Sequence, residues 1–274
     1  MPRRLGQHFL SDPAILDRIV DALEPSGRET VLEIGAGRGT LTARLAPRVA
    51  RVVAIERDRA LARTLGEGEV GKREGGKALP NNVVIVHGDA LRLDWVRLMT
   101  GATTAHSPLP VFKVTGNIPY AITSQLLDKA LTPPVAELVV FLVQREVADR
   151  LTAQPGGKTY GALTVGIGVA ATVERVFGVK AGAFRPPPKV DSAVVRLRPR
   201  ATPLVPPARH PAFRGFVTAL FGRRRKQLGT ALRGVTGLSA PAVAATLDEL
   251  GLDGAMRAER LPPQDFVRLF AEFG

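Results

Sequence analysis

The segment Gly116-Asn117-Ile118-Pro119-Tyr120 has the residue types needed to hold an exocyclic amino group of a nucleic-acid base. The nitrogen lone pair of such a group is conjugated with the ring, so it is a poor nucleophile unless hydrogen-bond acceptors draw it out. Asn117 can offer its side-chain carbonyl and Ile118 its main-chain carbonyl, because Pro119 restricts the turn between them. Tyr120 offers a ring on which an unstacked base can lie. The segment favours methylation of an amine, and a structural turn with a packed tyrosine is the alternative.

A glycine-rich segment, residues 33–39, follows a short β-branched run, and Glu56 ends the next such run. Ligands of doubly wound sheets bind at the carboxyl ends of strands, where Gly35 and Gly37 let the backbone approach closely. Thr40 stands where a dinucleotide fingerprint requires glycine, so no pyrophosphate cradle is specified. Glu56 can accept hydrogen bonds from two ribose hydroxyls. The pattern favours a nucleoside ligand such as S-adenosylmethionine over NAD, and a tight turn with a surface acid is the alternative.

Two further segments have one functional and one structural interpretation each. Asp89, after Gly88 at the end of a third strand, can accept the exocyclic amine of adenine, although Gly-Asp is also a common turn. Phe184 begins a rigid proline-rich segment and could stack on the second face of the base or belong to the core. The four histidines show no ligand spacing, so we expect no metal site.

Strand and helix patterns alternate through the first 150 residues, which predicts a parallel sheet with helical crossovers. The predicted strands are residues 30–35, 51–56, 83–86, 111–114, 138–143 and 192–197, and the predicted helices are residues 40–48, 58–65, 123–131 and 161–171. Residues 66–80 and 100–110 are predicted surface loops. A proline-rich passage then leads to a helical tail. We expect an α/β methyltransferase domain over residues 1–200, with a doubly wound, mostly parallel seven-stranded sheet, and a small helical RNA-binding domain over residues 201–274.

The chain of 274 residues has a formal net charge of +13 and no cysteine, which excludes disulfides, thiolate metal sites and a cysteine nucleophile. Thirteen basic residues and one acid lie in residues 178–235, a segregation that suits a polyanion, with a solvated basic face as the alternative. The densest run is Arg223-Arg224-Arg225-Lys226. No signal peptide and no apolar run near the ~18 residues of a membrane helix are present, so we expect a cytoplasmic protein that does not bind membranes.

Taken in order, these motifs resemble the ribosomal RNA adenine dimethyltransferase (KsgA-type) family, over residues 1–200 and more loosely to the C-terminus. The motifs that carry the resemblance are Gly6-Gln-His-Phe-Leu10, residues 33–39, Glu56, Gly88-Asp89, Asn117-Ile-Pro-Tyr120, Gln144-Arg-Glu-Val147, Tyr160-Gly161 and Phe184–Ser192. The resemblance implies a Rossmann-like methyltransferase that uses S-adenosylmethionine, releases S-adenosylhomocysteine and needs no metal. Residues of the family's donor site correspond to His8, Leu10, Gly35, Gly37, Glu56, Asp89 and Asn117. The family often has asparagine where this chain has His8.

The resemblance also implies the reaction, which is two successive methylations at N6 of two adjacent adenines. These lie in a hairpin loop near the 3′ end of small-subunit (16S) ribosomal RNA. Bases in such loops cost little to unstack. We expect a monomer that acts on the assembling small subunit. A large-subunit ribosomal RNA adenine methyltransferase and a nucleic-acid-binding factor with a reused methyltransferase fold are the alternatives.

Overall fold

The computed structural model describes residues 8–67, 79–100, 111–119 and 122–274. Tyr120, the start of the Gly6–Leu10 motif and most of the two predicted surface loops lie outside these residues. The chain divides into two compact units, of which one comprises residues 1–148 and 174–198 and the other residues 149–173 and 199–274.

A seven-stranded, mostly parallel sheet forms the centre of the first unit. Its strands are β2 (Thr30–Ile34), β3 (Arg51–Glu56), β4 (Val83–His87), β5 (Phe112–Asn117), β6 (Leu138–Gln144), β7 (Ala171–Val179) and β9 (Ser192–Pro199). Their spatial order is β4-β3-β2-β5-β6-β9-β7, in which β4 to β6 run parallel and β9 is antiparallel to β6. β1 (Phe9–Leu10) and β8 (Phe184–Arg185) form a separate antiparallel pair. The predicted fold class is confirmed.

Apolar β-branched sequences explain why the central strands are buried on both faces. Every residue of β2 is buried, and so is every residue of β6 except Gln144. The helices along the chain are α1 (Pro13–Ala22), α2 (Thr42–Leu45), α3 (Arg59–Gly66), α4 (Trp95–Thr100), α5 (Thr123–Ala130), α6 (Arg145–Leu151), α7 (Ala162–Gly168), α8 (His210–Phe221), α9 (Leu228–Thr236), α10 (Ala240–Glu249) and α11 (Pro263–Phe273). In the described part of the chain, no helix is long and apolar enough to cross a bilayer.

Several elements of the first unit were not predicted from the sequence, among them α1 and β7. α1 is capped by Asp12, whose side chain accepts hydrogen bonds from Ala14 and Ile15, and it buries Leu16 and Ile19. β7 is a partly exposed strand in which Thr172, Glu174 and Arg175 interrupt the apolar residues, so no continuous apolar run marked it. The helix predicted over residues 161–171 accordingly ends at Gly168, before this strand begins.

The second unit includes residues that we predicted to belong to the first. Residues 149–173 cluster with the C-terminal helices, so the predicted boundary at residue 200 misses this segment. The physical reason is that α7 packs against α8 and α11. Tyr160 is buried, and its hydroxyl donates to the Leu261 carbonyl at 2.7 Å. The core of this unit also contains the packed rings of Phe213, Phe216 and Phe270.

A buried ion pair lies toward the amino ends of β2 and β5. The Lys113 ammonium donates to the Leu23 and Glu24 carbonyls at 2.9 and 2.7 Å and lies 3.4 Å from Glu29. Burial acts to raise the pKa of Glu29, but hydrogen bonds from Ser26 and the charge of Lys113 outweigh it and lower this pKa to about 2. Glu29 is therefore ionised, and both side chains are well partnered.

Candidate functional site

The glycine-rich loop follows β2 directly and turns back beside β3. The Gly35 and Ala36 amides donate to the Ile55 carbonyl at 2.8 and 3.2 Å, and Gly37 has φ +60, a left-handed conformation that favours glycine. Gly116 has a different role, because a Cβ at this position would lie 2.2 Å from the Ile34 carbonyl oxygen. Glycine at 116 therefore permits the close approach of β5 to β2, which brings Asn117 beside the loop.

Glu56 is a buried acid at the carboxyl end of β3, so the surface-acid alternative is wrong. One carboxylate oxygen accepts from the Gly37 amide at 2.8 Å and the other from the Asp58 amide at 2.7 Å. Each oxygen keeps a second lone pair for a ligand. Glu56 can thus fix the loop and still accept hydrogen bonds from a diol.

Asp89 lies at the same edge of the sheet, just beyond β4. The Gly88 amide donates to the main-chain carbonyl of Glu56 at 2.9 Å, which keeps the two strand ends adjacent. Asp89 Oδ1 accepts from the Leu91 amide at 3.0 Å, so the turn interpretation is correct. Among the described residues Oδ2 has no hydrogen-bond partner, and one oxygen remains available for a ligand.

Asn117 ends β5, with its amide held in one orientation. Asn117 Nδ2 donates to the His8 carbonyl at 2.9 Å. Because a carbonyl only accepts, the opposite atom, Oδ1, must be the acceptor that faces away, and it has no partner among the described residues. The Ile118 amide donates to the Leu142 carbonyl at 3.1 Å and the Ile118 side chain is buried, while Pro119 is exposed. Tyr120 lies outside the described residues.

The paired strands β1 and β8 lie next to the glycine-rich loop. Thr40 Oγ1 donates to the Leu10 carbonyl at 3.2 Å, and His8 Nδ1 lies 2.8 Å from the Pro186 carbonyl. The Phe9 ring packs against the loop beneath the Arg38 guanidinium, 4.5 Å from the ring centroid. These contacts place His8 and Leu10 beside Asn117 and the loop, where a donor-covering role requires them.

Phe184 is 1% exposed and belongs to the core cluster with Leu10, its partner in the β1–β8 pair. Neither face of its ring is open to a base. The structure therefore favours the core interpretation of Phe184, and its stacking role stays a prediction. The reason is the pairing of β8 with the distant β1, which buries the side chain.

The loop, β1 and the ends of β2 and β5 line an open pocket. Its lining includes Leu10, Gly35, Gly37, Asn117 and also Glu33, an acid that the sequence analysis did not assign to the site. Glu33 is 1% exposed, and burial raises its pKa to about 8, helped by the charge of Glu56 and opposed by a hydrogen bond from Thr42. The sequence signal that could have identified Glu33 is its position as an acid in a mostly apolar strand.

The predicted RNA-binding run lies in the second unit, between α8 and α9. Arg224 is committed to an ion pair with Glu259 and also donates to the Lys158 carbonyl at 3.1 Å. Arg223 donates to the Gly234 carbonyl at 2.7 Å yet stays exposed. Arg225 and Lys226 are exposed, and neither side chain has a partner among the described residues. The run therefore contains one structural arginine beside cations that are available to phosphates.

These residues fit the methyl donor expected for this site. Two strand-end acids can hold a nucleoside, and glycines of the loop leave room along the pocket wall. Beside them lie two carbonyl acceptors, those of the Asn117 side chain and the Ile118 main chain. Among the described residues, no group of three or more histidines and acids could hold a metal ion.

Comparison with known proteins gives consistent matches over the whole chain. Residues 2–274 match the family described as "Ribosomal RNA adenine dimethylase". The "Ribosomal RNA small subunit methyltransferase A" of Trichormus variabilis is 40% identical over 98% of this chain and 96% of its own, and that of an Anaeromyxobacter strain is 43% identical over 98% and 92%.

Two solved structures share the fold over 97% of this chain. A dimethyladenosine transferase from Plasmodium falciparum has a TM-score of 0.76 at 27% identity, with 97% of its chain covered. The 23S rRNA methyltransferase ErmE has a TM-score of 0.69 at 31% identity, with 99% of its chain covered.

Proposed function

Because this chain belongs to the ribosomal RNA adenine dimethylase family, we propose that it transfers methyl groups from S-adenosylmethionine to N6 of two adjacent adenines in small-subunit (16S) ribosomal RNA. The chain is an S-adenosylmethionine-dependent methyltransferase of ribosomal RNA. The target is the hairpin loop near the 3′ end, and the products are N6,N6-dimethyladenosines and S-adenosylhomocysteine. The modification takes place in the cytoplasm as the small subunit assembles.

The observation that carries this proposal is the orientation of Asn117. The His8 carbonyl binds Nδ2 and leaves Oδ1 as a fixed acceptor at the edge of the pocket. The next acceptor along the chain is the Ile118 carbonyl, which receives no hydrogen bond from the described residues. Two fixed acceptors suit an amine that carries two hydrogens, and they are the chemistry that methylation at N6 requires.

The donor supplies an activated methyl group on a sulfonium. Asn117 and Ile118 hold the amine and stabilise the positive charge that develops on its nitrogen, since carbonyl dipoles fixed in advance need no reorganisation. Glu56 accepts hydrogen bonds from the ribose, and Asp89 accepts one from the adenine amine of the donor. The methylated ammonium is acidic enough to release its proton to water, so no general base is required. Catalysis is then mainly positioning.

Adenines in a hairpin loop are accessible without melting a duplex, which keeps the cost of extruding the base to a few kcal/mol or less. The exposed cations Arg223, Arg225 and Lys226 are proposed to contact phosphates, and Arg224 to hold the segment in place. Tyr120 is proposed to stack on the target base. We expect the protein to act as a monomer.

The test is methyl transfer from labelled S-adenosylmethionine to purified ribosomal subunits that lack the modification. We expect label in the small subunit and mass mapping to place two methyl groups on each of two adjacent adenines. Label confined to the large subunit would instead favour an activity like that named for ErmE. Tight RNA binding with no methyl transfer to either subunit would favour a nucleic-acid-binding factor.

A further inference from the structure

The turn of residues 89–93 follows β4 and contains Asp89, the acid proposed to bind the adenine of the methyl donor. Asp89 Oδ1 accepts from the Leu91 amide at 3.0 Å, and the Asp89 main-chain carbonyl accepts from the Leu93 amide at 3.0 Å. The Leu93 side chain folds back on Gly88, where an added Cβ would lie 2.9 Å from it. The direction of the Asp89 carboxylate therefore depends on the conformation of this turn.

Two side chains from outside the turn bond to its main-chain carbonyls. The Lys129 ammonium donates to the Leu91 and Leu93 carbonyls at 2.9 and 2.6 Å. The Trp95 indole N–H donates to the Ala90 carbonyl at 2.9 Å. The Lys129 ammonium also lies over the Trp95 ring, 5.1 Å from its centroid, so the two side chains contact each other. Together they hold the turn through three of its carbonyls.

Lys129 belongs to α5, the helix that follows the two amine acceptors along the chain. α5 begins at Thr123, six residues after Asn117, and it buries Leu126 and Leu127 against the rest of the fold. Hydrogen bonds from a charged donor are stronger than those between neutral groups. Lys129 therefore joins the turn to a packed helix by two strong bonds.

The charge of Lys129 also acts on Asp89 through space. Burial lowers the pKa of Lys129, and the charges of Asp94 and Asp89 act to raise it. Attraction between opposite charges is mutual. The ammonium is thus near enough to Asp89 to attract its carboxylate as well as to fix the turn.

We propose that Lys129 and Trp95 are positioning residues for the adenine site of the methyl donor. In this role neither side chain needs to touch the donor. They fix the turn so that Asp89 Oδ2, which has no partner among the described residues, is directed at the exocyclic amine of the adenine ring. Without them the turn gains other conformations, and the hydrogen bond to the amine weakens. This inference rests on the proposed function, because it takes an adenosine-containing donor as the ligand.

The test compares S-adenosylhomocysteine with S-inosylhomocysteine, in which a carbonyl oxygen replaces the amine of the base. Titration calorimetry on the full chain gives a Kd for each compound. The unmodified protein should bind the adenosine compound about ten- to a hundredfold more tightly, because only that compound can donate a hydrogen bond from its amine to the Asp89 carboxylate. The ratio of the two Kd values therefore reports the orientation of Asp89, whereas a general loss of stability affects both Kd values alike.

The first variant is Lys129→Met, which keeps the length of the side chain and removes its charge and its donors. We expect the ratio to fall by about fivefold, mainly because S-adenosylhomocysteine binds more weakly. Arg51→Met is the matched control, since Arg51 donates to the Met99 carbonyl at 2.9 Å, near the end of α4 and outside the turn. The control should leave the ratio unchanged.

A double-mutant cycle tests whether Lys129 acts through Asp89. In Asp89→Asn the ratio should already be small, and adding Lys129→Met should change it by no more than about twofold. Trp95→Phe keeps a ring beneath Lys129 and removes the N–H, so it should lower the ratio by about two- to threefold. This variant decides the question if Lys129→Met does not fold.

Several results would overturn the inference. An unchanged ratio in folded Lys129→Met, or in Trp95→Phe if the former does not fold, would make these contacts purely structural. An equal fall in Arg51→Met would mean that the ratio follows stability. A full effect of Lys129→Met in the Asp89→Asn background would mean that Lys129 acts without Asp89. Equal binding of both compounds by the unmodified protein would remove the adenine role of Asp89, and binding of neither would count against the proposed function itself.

Discussion

Each end of the β2–β5 strand pair has a buried glutamate near a polar residue of β5, but the two glutamates differ in their partners. Toward the amino end, Glu29 and Lys113 are buried together, and both are bonded to several partners. At the carboxyl end, Glu33 and Asn117 line the pocket, and each has one bonded side-chain atom and one with no partner among the described residues. Glu29 has its pKa lowered to about 2 and Glu33 has its pKa raised to about 8, although only three residues separate them.

Both acids are almost completely inaccessible to solvent, but hydrogen bonds from Ser26 and the charge of Lys113 stabilise the Glu29 carboxylate, whereas burial dominates at Glu33, which has one hydrogen bond, from Thr42. Where every polar atom is satisfied from within the fold, the group stabilises the fold. Where one atom has no partner within the fold and its residue lines a pocket, that atom can take a hydrogen bond from a ligand. Substitutions at the amino end should therefore affect folding, and those at the carboxyl end should affect binding and turnover.

The largest effect is expected for Lys113→Met, at the satisfied end. Removing the ammonium leaves the buried Glu29 carboxylate without its cation, and this should lower the free energy of unfolding by about 3–5 kcal/mol in urea denaturation. Lys180→Met is the matched control, because Lys180 is 87% exposed in its ion pair with Asp191, and the change should be below about 1 kcal/mol. Equal losses of unfolding free energy in the two variants would contradict the predicted difference between the buried and the exposed ion pair.

Asn117→Ala, at the carboxyl end of the strand pair, should reduce turnover. Loss of one fixed acceptor should reduce kcat by about 10²- to 10³-fold, while the Kd for S-adenosylhomocysteine changes by no more than a few fold. Asn82→Ala is the control, since Asn82 binds the Ala46 and Val49 carbonyls near the start of β4, and its loss should reduce stability and leave kcat per folded molecule unchanged. A near-normal kcat in Asn117→Ala would contradict its role at the amine.

Glu33→Gln should change the pH dependence of stability in the ligand-free protein. From pH 4.5 to 8, folded Glu33 keeps a proton that the unfolded chain has released, so its contribution to stability falls by up to about 1.4 kcal/mol per pH unit as pH rises. Glu29 has the opposite sign, because its contribution is present above pH 4.5 and is lost as pH falls toward 2. Denaturation at pH 5.5 and 7.5 should show that the free energy of unfolding of the variant lacks the decline that Glu33 causes in the unmodified protein. Parallel curves for the two proteins would mean that Glu33 is ionised in the fold.

The smallest effect is expected for the exposed cations of the basic run. Arg224 is bonded within the fold, whereas Arg225 and Lys226 have no side-chain partner among the described residues. Arg225→Glu with Lys226→Glu should weaken RNA binding several-fold at moderate salt and lower the salt slope by about one for each phosphate that is no longer neutralised. Arg224→Glu should destabilise the protein instead, because it places two acids together at Glu259. An unchanged salt slope in the double variant would mean that these cations form only a solvated face.

The elements around the site could be predicted because their signals are local. The apolar runs of β2, β3, β5 and β6 give the parallel sheet, and the glycines after β2 give the loop. Parallel strands end at one edge, so the sequence sufficed to bring Glu56, Asp89 and Asn117 together. α1 and β7 were missed, the latter because polar residues interrupt its apolar sequence and the strand is partly exposed.

Contacts between distant parts of the chain were decided only by the tertiary structure. His8 meets Pro186 across 178 residues, and the β1–β8 pair that joins them turns Phe184 into a core residue. The same holds for Tyr160, whose bond to Leu261 assigns its segment to the second unit, and for Arg224, which Glu259 removes from the free cations. Sequence periodicity reports which side of an element is buried, but not which surface covers it or which polar atom finds a partner there. For Glu33 that difference separates an acid bonded through both oxygens from one with an oxygen that has no partner among the described residues.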